Sequence, residues 1–420
     1  MTHFDLAAVF IGLVAAIGWL NSRWLRLPPS VAMLAVGLLG SILLIGLRRL
    51  PAVSEAADFV LREIGRVNFP GTVVGYMLAF LLFAGGMQAD LGEIARRRVA
   101  ILSLATIGVF VSTAIVGVGV WLAARALDAP IDLGWALVFG ALISPTDPVA
   151  VLSTVRPGAL SPPVLATLQG EALFNDGVGI VVFLEVLAFA TGGHAVRPLS
   201  LALGVLVEAG GGVLLGVVAG AVVGRAMRAI DDYAVEVTLT VALAAGVYAG
   251  GQALHVSGAL AAVAAGLMTG GENIQSAMSD LTRRYVQGFW TLVDELLTAL
   301  LFLLLGLQTA VLRFDPRDIA ISAAAVGLVL LARLAVVLPW GAYYRLRHEA
   351  RGAGLLLAWG GLRGALSLAL ALQTPDSPAR PAVLAATYTV VVFAVLVQGL
   401  SFPALVAALS RPLAGGGERS

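Results

Sequence analysis

The chain has 420 residues, a net charge of +1, 59% hydrophobic and only 12% charged residues, and a mean hydropathy of +0.96. An ordinary globular chain carries roughly 25% charged residues, so a water-soluble fold is excluded, and recurrent apolar runs able to cross about 30 Å of hydrocarbon predict an all-α polytopic membrane protein without barrel-type alternation. The absence of cysteine removes disulfides, thiol nucleophiles and thiolate-held metals, four scattered histidines offer no metal centre, and the near-neutral charge without a basic tract speaks against nucleic acid as a partner.

In chain order the apolar pattern predicts thirteen transmembrane helices, at 4-21, 30-48, 71-89, 98-124, 133-154, 162-191, 198-226, 233-252, 256-270, 287-312, 318-344, 352-373 and 381-409. The first follows only Met1 to Asp5, with no basic leader or small-residue cleavage site, and reads as a retained helix. Connecting segments are short and the tail, 410-420, is glycine-rich, which leaves no room within these residues for a sensor or nucleotide-binding module. Every basic residue outside histidine is arginine. The larger share, among them Arg23, Arg26, Arg96, Arg97, Arg98, Arg283, Arg284, Arg345 and Arg347, falls on one set of loops, which predicts an outer N-terminus and a cytoplasmic C-terminus. Arg333 and Arg363 lie within spans; Arg333 is expected to snorkel or to face a neighbouring helix.

Charged residues inside spans cost roughly 2.5 to 3.5 kcal/mol each at the bilayer centre, so they point to function. In the fifth span, Ser144-Pro145-Thr146-Asp147-Pro148 places two prolines three residues apart. They remove two amide donors and break the helix, leaving free carbonyls beside a carboxylate, as at the midplane cation sites of secondary transporters. In the sixth span, Gly170-Glu171-Ala172-Leu173-Phe174-Asn175-Asp176 puts Glu171 and Asn175 on one face and Asp176 about 140° away from Glu171. The two acids therefore need different partners: an arginine for Glu171, and the broken fifth span with Asp147 for Asp176. The twelfth span holds Gly360-Gly361-Leu362-Arg363-Gly364, a weak helix that can unwind. The fifth and twelfth spans run in opposite directions, the parity of two inverted repeats whose discontinuous helices cross. Arg363 would then neutralise carbonyl ends at the crossing and pair with Glu171.

The stretch from Ala141 to Phe183, with Ser-Pro-Thr-Asp-Pro-Val-Ala-Val followed by Gly-Glu-Ala-Leu-Phe-Asn-Asp-Gly-Val, resembles the paired signature of the monovalent cation:proton antiporters, in the NhaP-type sodium/proton exchanger branch. Trp359 to Leu370 and Phe289 to Gln308 resemble the same branch, and the likeness runs from about residue 70 onward. It implies a thirteen-span inverted-repeat fold with a scaffold and dimerisation domain (1-97 and 198-312) and a core ion-transport domain (98-192 and 318-409). It also implies a homodimer in the inner (plasma) membrane of a prokaryote. Matched by position, Asp176 corresponds to the ion- and proton-binding aspartate, Asp147 to the aspartate of the unwound helix, and Thr146 to the residue offering its carbonyl. Asn175 stands where electrogenic relatives have a second aspartate, and Glu171 and Arg363 correspond to a stabilising ion pair. The chain departs from the pattern at Ala172, in place of a common serine, at Ala84, in place of a common acid, and at Asp294 and Thr298, often Glu and Asn. Fewer hard oxygens leave Na⁺, Li⁺ and K⁺ all open as cargo.

The expected chemistry needs no cofactor and makes the chain a transporter, not an enzyme. A cation held by Asp176, Asp147 and the Thr146 carbonyl competes with a proton for the same buried carboxylates, and that competition alone gives exchange. With Asn175 neutral and no lysine as a second proton carrier, one cation exchanges for one proton without net charge. Two rival readings are a passive cation channel, for which no selectivity-filter sequence is visible, and an intramembrane aspartyl protease using Asp147 and Asp176. The protease reading lacks a Gly-x-Gly-Asp context and gives the Glu171/Arg363 pair no use.

Overall fold

The structure, a computed structural model, describes residues 3-66, 71, 77-147, 155, 158-192, 198-276, 278-309, 316-347 and 352-410, and every regular element among them is helical. Nine of these helices are long and apolar enough to cross a bilayer, and a tenth crossing is a pair bent by 43° at a four-residue break, Ala353–Gly360 and Ala365–Gln373. Ten crossings of full length thus stand against the thirteen expected. The other three expected spans, 71-89, 133-154 and 256-270, hold the shorter apolar helices Leu78–Gln88, Leu133–Ile143 and Gly258–Gly270, and parts of the first two lie outside the described residues.

In chain order the helices are α1 (His3–Leu20), α2 (Pro29–Leu47), α3 (Ser54–Arg66), α4 (Leu78–Gln88), α5 (Leu91–Arg96), α6 (Arg98–Ala105), α7 (Ile107–Ala126), α8 (Leu133–Ile143), α9 (Pro162–Ala190), α10 (Pro198–Met227), α11 (Tyr233–Ala253), α12 (Gly258–Gly270), α13 (Glu272–Gln275), α14 (Asp280–Gln308), α15 (Pro316–Leu346), α16 (Ala353–Gly360), α17 (Ala365–Gln373), α18 (Arg380–Phe393) and α19 (Leu400–Ser410). Their starts are written in polar residues. Asp90, Asp132, Asp232, Ser257 and Ser279 each accept a hydrogen bond from an amide of the first turn that has no partner within its helix. Proline opens α2 and α9, where its missing N–H costs nothing. The cap at Ser279 starts α14 seven residues before the expected span. Helix α3 was not expected at all: it lies in the connection after the second span, with Ala57 and Ile64 buried seven residues apart and Arg48 ion-paired to Asp58 at 2.7 Å.

Packing follows small residues. Helix α2 lies against α14, and α12 against both α4 and α10; elsewhere α7 packs on α8 and α15, and α15 on α18. Within a bilayer there is little hydrophobic gain from helix association, so close backbone approach and dispersion carry it. The α4–α12 contact illustrates this, since a Cβ placed on Gly86 would come within 2.6 Å of the Val263 carbonyl oxygen. Replacing Gly86 with alanine is expected to cost about 1 to 3 kcal/mol by overpacking, read as a lower melting midpoint in detergent. Gly46→Ala, at a position with nothing within 4 Å, serves as the unaffected control; equal midpoints for the two variants would mean that α4 and α12 do not bear on one another.

Candidate functional site

Helix α8 stops at Ile143, where the chain meets Ser144-Pro145-Thr146-Asp147, and the Ser144 hydroxyl folds back to donate to the Gly140 carbonyl at 2.6 Å. The second break lies at Gly361-Leu362-Arg363-Gly364, between α16 and α17. The two breaks touch: the Asp147 amide donates to the Leu362 carbonyl at 2.9 Å, and Arg363 Nη1 donates to the Pro145 carbonyl at 3.3 Å. The expected crossing of the fifth and twelfth spans is therefore present. Glycine is needed on the second strand of the crossing, because a Cβ on Gly364 would run into the Asp147 carboxylate and one on Gly361 into the Arg333 guanidinium.

A cavity of about 640 Å³ opens beside the crossing, and Thr146, Asp147 and Asp176 all line it. Helix α9 carries Asp176 to the wall and turns Asn175 inward, where its Nδ2 donates to the Thr146 hydroxyl at 2.7 Å. Asn175 thereby fixes the broken strand next to the carboxylates without adding a charge. Helix α14 contributes Asp294, Glu295 and Thr298 to the lining, and Gln88, Gln169 and Ser367 add further polar groups. The described lining includes four carboxylates and no arginine, lysine or histidine. Ala172 lines the same space in place of a hydroxyl, and Ala84 is fully buried elsewhere in the core.

The expected Glu171–Arg363 pair is not formed. Glu171 is held by Arg333 instead: both guanidinium Nη groups bond the two carboxylate oxygens, Nη2 to Oε2 at 2.9 Å, and Nε and Nη2 also reach the Leu357 carbonyl at 3.0 and 2.8 Å. Both partners are buried, at 2% and 4% exposure. The physical reason lies in the break itself. Unwinding at Gly361 frees carbonyls at the end of α16, and a planar guanidinium on α15 can serve a carboxylate and a carbonyl together, while Arg363 is committed to Pro145 on the other strand. Arg333 therefore does not snorkel. The signal was available in the sequence, because two arginines within spans could answer one glutamate; Glu295, adjacent to Asp294 in a span, was likewise readable as a cavity acid.

The family model described as "Sodium/hydrogen exchanger, transmembrane" matches residues 11–408. The chain belongs to the sodium/hydrogen exchanger family. It is 40% identical to the Na(+)/H(+) antiporter NhaP of Pseudomonas aeruginosa over 96% of both chains, and 32% identical to the Na(+)/H(+) antiporter NhaH of Halobacillus aidingensis over 92% of this chain and 93% of that one. Its fold matches that of the sodium proton antiporter MjNhaP1 from Methanocaldococcus jannaschii with a TM-score of 0.71, at 18% identity and covering 97% and 98% of the two chains. Sodium/hydrogen exchangers are transporters and not enzymes, and this member is a multi-pass membrane protein.

The rearranged ion pair yields a test. Arg333→Met or Glu171→Leu alone leaves an uncompensated buried charge, at a typical cost of about 3 to 5 kcal/mol, whereas the double variant is expected to be much closer to wild type. A double-mutant cycle on melting midpoints should give strong coupling for Glu171 with Arg333 and weaker coupling for Glu171 with Arg363. Additive losses in the first cycle would refute the pairing.

Proposed function

We propose that this chain is a secondary antiporter that exchanges a monovalent cation, Na⁺ first among the candidates, for H⁺. The observation that carries the reading is the cavity at the crossing, which Asp147 and Asp176 line together with Thr146. Membership of the sodium/hydrogen exchanger family and the relatives named as Na(+)/H(+) antiporters support it.

The steps follow from the donor set. A cation entering the cavity exchanges part of its water shell for the carboxylate oxygens of Asp176 and Asp147 and the carbonyl of Thr146, hard oxygens suited to such an ion. When the cation leaves, two neighbouring carboxylates cannot easily both stay ionised, and a proton takes its place. Neither the empty nor the doubly loaded site crosses readily, so the two cargoes alternate. Asn175 holds Thr146 and contributes no titratable group, which makes the cycle one cation for one proton and electrically silent.

Thirteen membrane passages in two inverted repeats, an outer N-terminus and a cytoplasmic C-terminus in the inner (plasma) membrane of a prokaryote, and a homodimer complete the proposal. Residues 1-97 and 198-312 form the scaffold in this reading, and 98-192 with 318-409 the transporting core. The mutual packing of α2 with α14 and of α4 with α12, and of α7 and α18 with α15, supports that division. Asp294 and Glu295 then belong to the scaffold side of the cavity and draw cations toward the core carboxylates.

Three outcomes are expected in proteoliposomes with an imposed pH gradient and one cation added at a time. Asp176→Asn should insert and fold yet leave the gradient intact on adding Na⁺, Li⁺ or K⁺, since an amide neither releases a proton nor neutralises a cation; wild-type dissipation by this variant would remove Asp176 as the carrier. Wild-type exchange should also rise and then fall as pH increases, because protonated carboxylates exclude the cation at low pH and protons are too scarce to load the return step at high pH. An imposed membrane potential should leave its rate unchanged. Acceleration by potential at a fixed pH gradient would overturn the one-for-one stoichiometry while sparing the residue assignments.

A further inference from the structure

A second and far smaller pocket, of about 10 Å³, lies on the other flank of the crossing, walled by Ser112 of α7, Ser144, Glu171, Arg333 and Arg363. Two of these groups are buried polar atoms that make no hydrogen bond to the protein: Arg363 Nε and Ser112 Oγ. Both residues are nearly sealed, at 2% and 4% exposure. A buried donor left unmatched is costly, more so on a charged group, and two such atoms seldom face one pocket by accident.

We propose that this pocket is a binding site for one ordered water molecule, which accepts the Arg363 Nε–H and donates to the Ser112 hydroxyl. Size and chemistry agree. A buried water needs roughly 10 to 15 Å³ of such volume and two to four polar partners. The Arg363 guanidinium and the Ser112 hydroxyl supply two. Ser144, whose hydrogen is directed to the Gly140 carbonyl at 2.6 Å, retains acceptor capacity on the same wall, and the Glu171 carboxylate retains lone pairs beyond those that Arg333 uses. The competing occupant is a halide attracted by two guanidinium groups against one carboxylate; a pocket of about 10 Å³ is small for one.

The water has a structural consequence for the transport site. Arg363 bonds the Pro145 carbonyl at 3.3 Å, a long contact, and otherwise reaches toward α7 only through this pocket. A bridging water ties the arginine of one broken strand to Ser112 of α7, and adds to the direct hydroxyl contact of Thr113 with Ser144 at 3.2 Å that already joins α7 to the end of α8.

A cryo-electron microscopy map of the full-length wild-type protein, at a resolution that shows buried waters, tests this directly. The expected result is a peak within about 2.7 to 3.2 Å of both Arg363 Nε and Ser112 Oγ. In Ser112→Val the added methyl groups should fill the pocket, abolish the peak and lower the melting midpoint. Ser112→Ala keeps the space and should keep the peak on Arg363 with a smaller drop. An empty pocket in a wild-type map that resolves other buried waters would overturn the proposal. So would a heavier scatterer appearing there when bromide replaces chloride in the buffer, because the occupant would then be an anion. The wild-type map decides the matter even where Ser112→Val fails to fold.

Discussion

Backbone amides and carbonyls that lose their helical partners in the middle of a membrane protein cannot turn to bulk water, and the cost of leaving them bare organises this molecule. Two helices break at the same place. One bond between the breaks, from the Asp147 amide to the Leu362 carbonyl, satisfies a group on each strand. The remaining ends recruit side chains from elsewhere: Arg363 serves Pro145, Arg333 serves Leu357, and Gln398, presented by the π-turn Ala394–Gly399, donates to the Trp359 carbonyl at 3.3 Å. Glu171 then follows from Arg333, since a buried guanidinium needs a counter-charge. Three buried side chains, Arg363, Arg333 and Gln398, are thus answers to broken backbone, and Glu171 answers one of them.

This separates two kinds of charge that lie close in the sequence. Glu171 and Asp176 are five residues apart on α9, yet both oxygens of the first are bonded by one arginine and the second lines the cavity. A carboxylate whose oxygens are both occupied is poorly suited to take and release a cargo ion. The cavity acids instead line an open space of about 640 Å³ that an ion can enter. The helical 3.6-residue period is the device that sends the two acids to different environments.

Much of this was legible in sequence. Paired prolines around Thr146-Asp147 and three glycines around Arg363 identify both breaks, and the 140° separation of Glu171 from Asp176 predicts their different surroundings. What escaped was partner choice between Arg333 and Arg363. One-dimensional spacing ranks candidates along a helix but carries no information on which neighbouring helix, α15 or the α16–α17 break, presents its arginine at the right depth. Helix α3 escaped for another reason: its apolar positions are too few to register as a span, and only its contacts with α2 and α14 reveal that its apolar stripe is used. Asp294 stands in the sequence as a departure from a pattern, but that its acid joins Asp147 of the first break and Asp176 of α9 around one cavity is a fact of tertiary packing.

The close approach at the second break also shapes what inheritance can change. Gly361 and Gly364 have no chemistry of their own, yet any side chain at 364 would displace the Asp147 carboxylate and any at 361 would strike the Arg333 guanidinium. Change at these two positions is therefore constrained by their neighbours, not by roles of their own. A lineage could alter its cargo by changing the acids or hydroxyls that line the cavity, one residue at a time. Enlarging either glycine would instead require the Asp147 or the Arg333 side chain to move, so the plainest residues of the crossing are tied to its most polar ones.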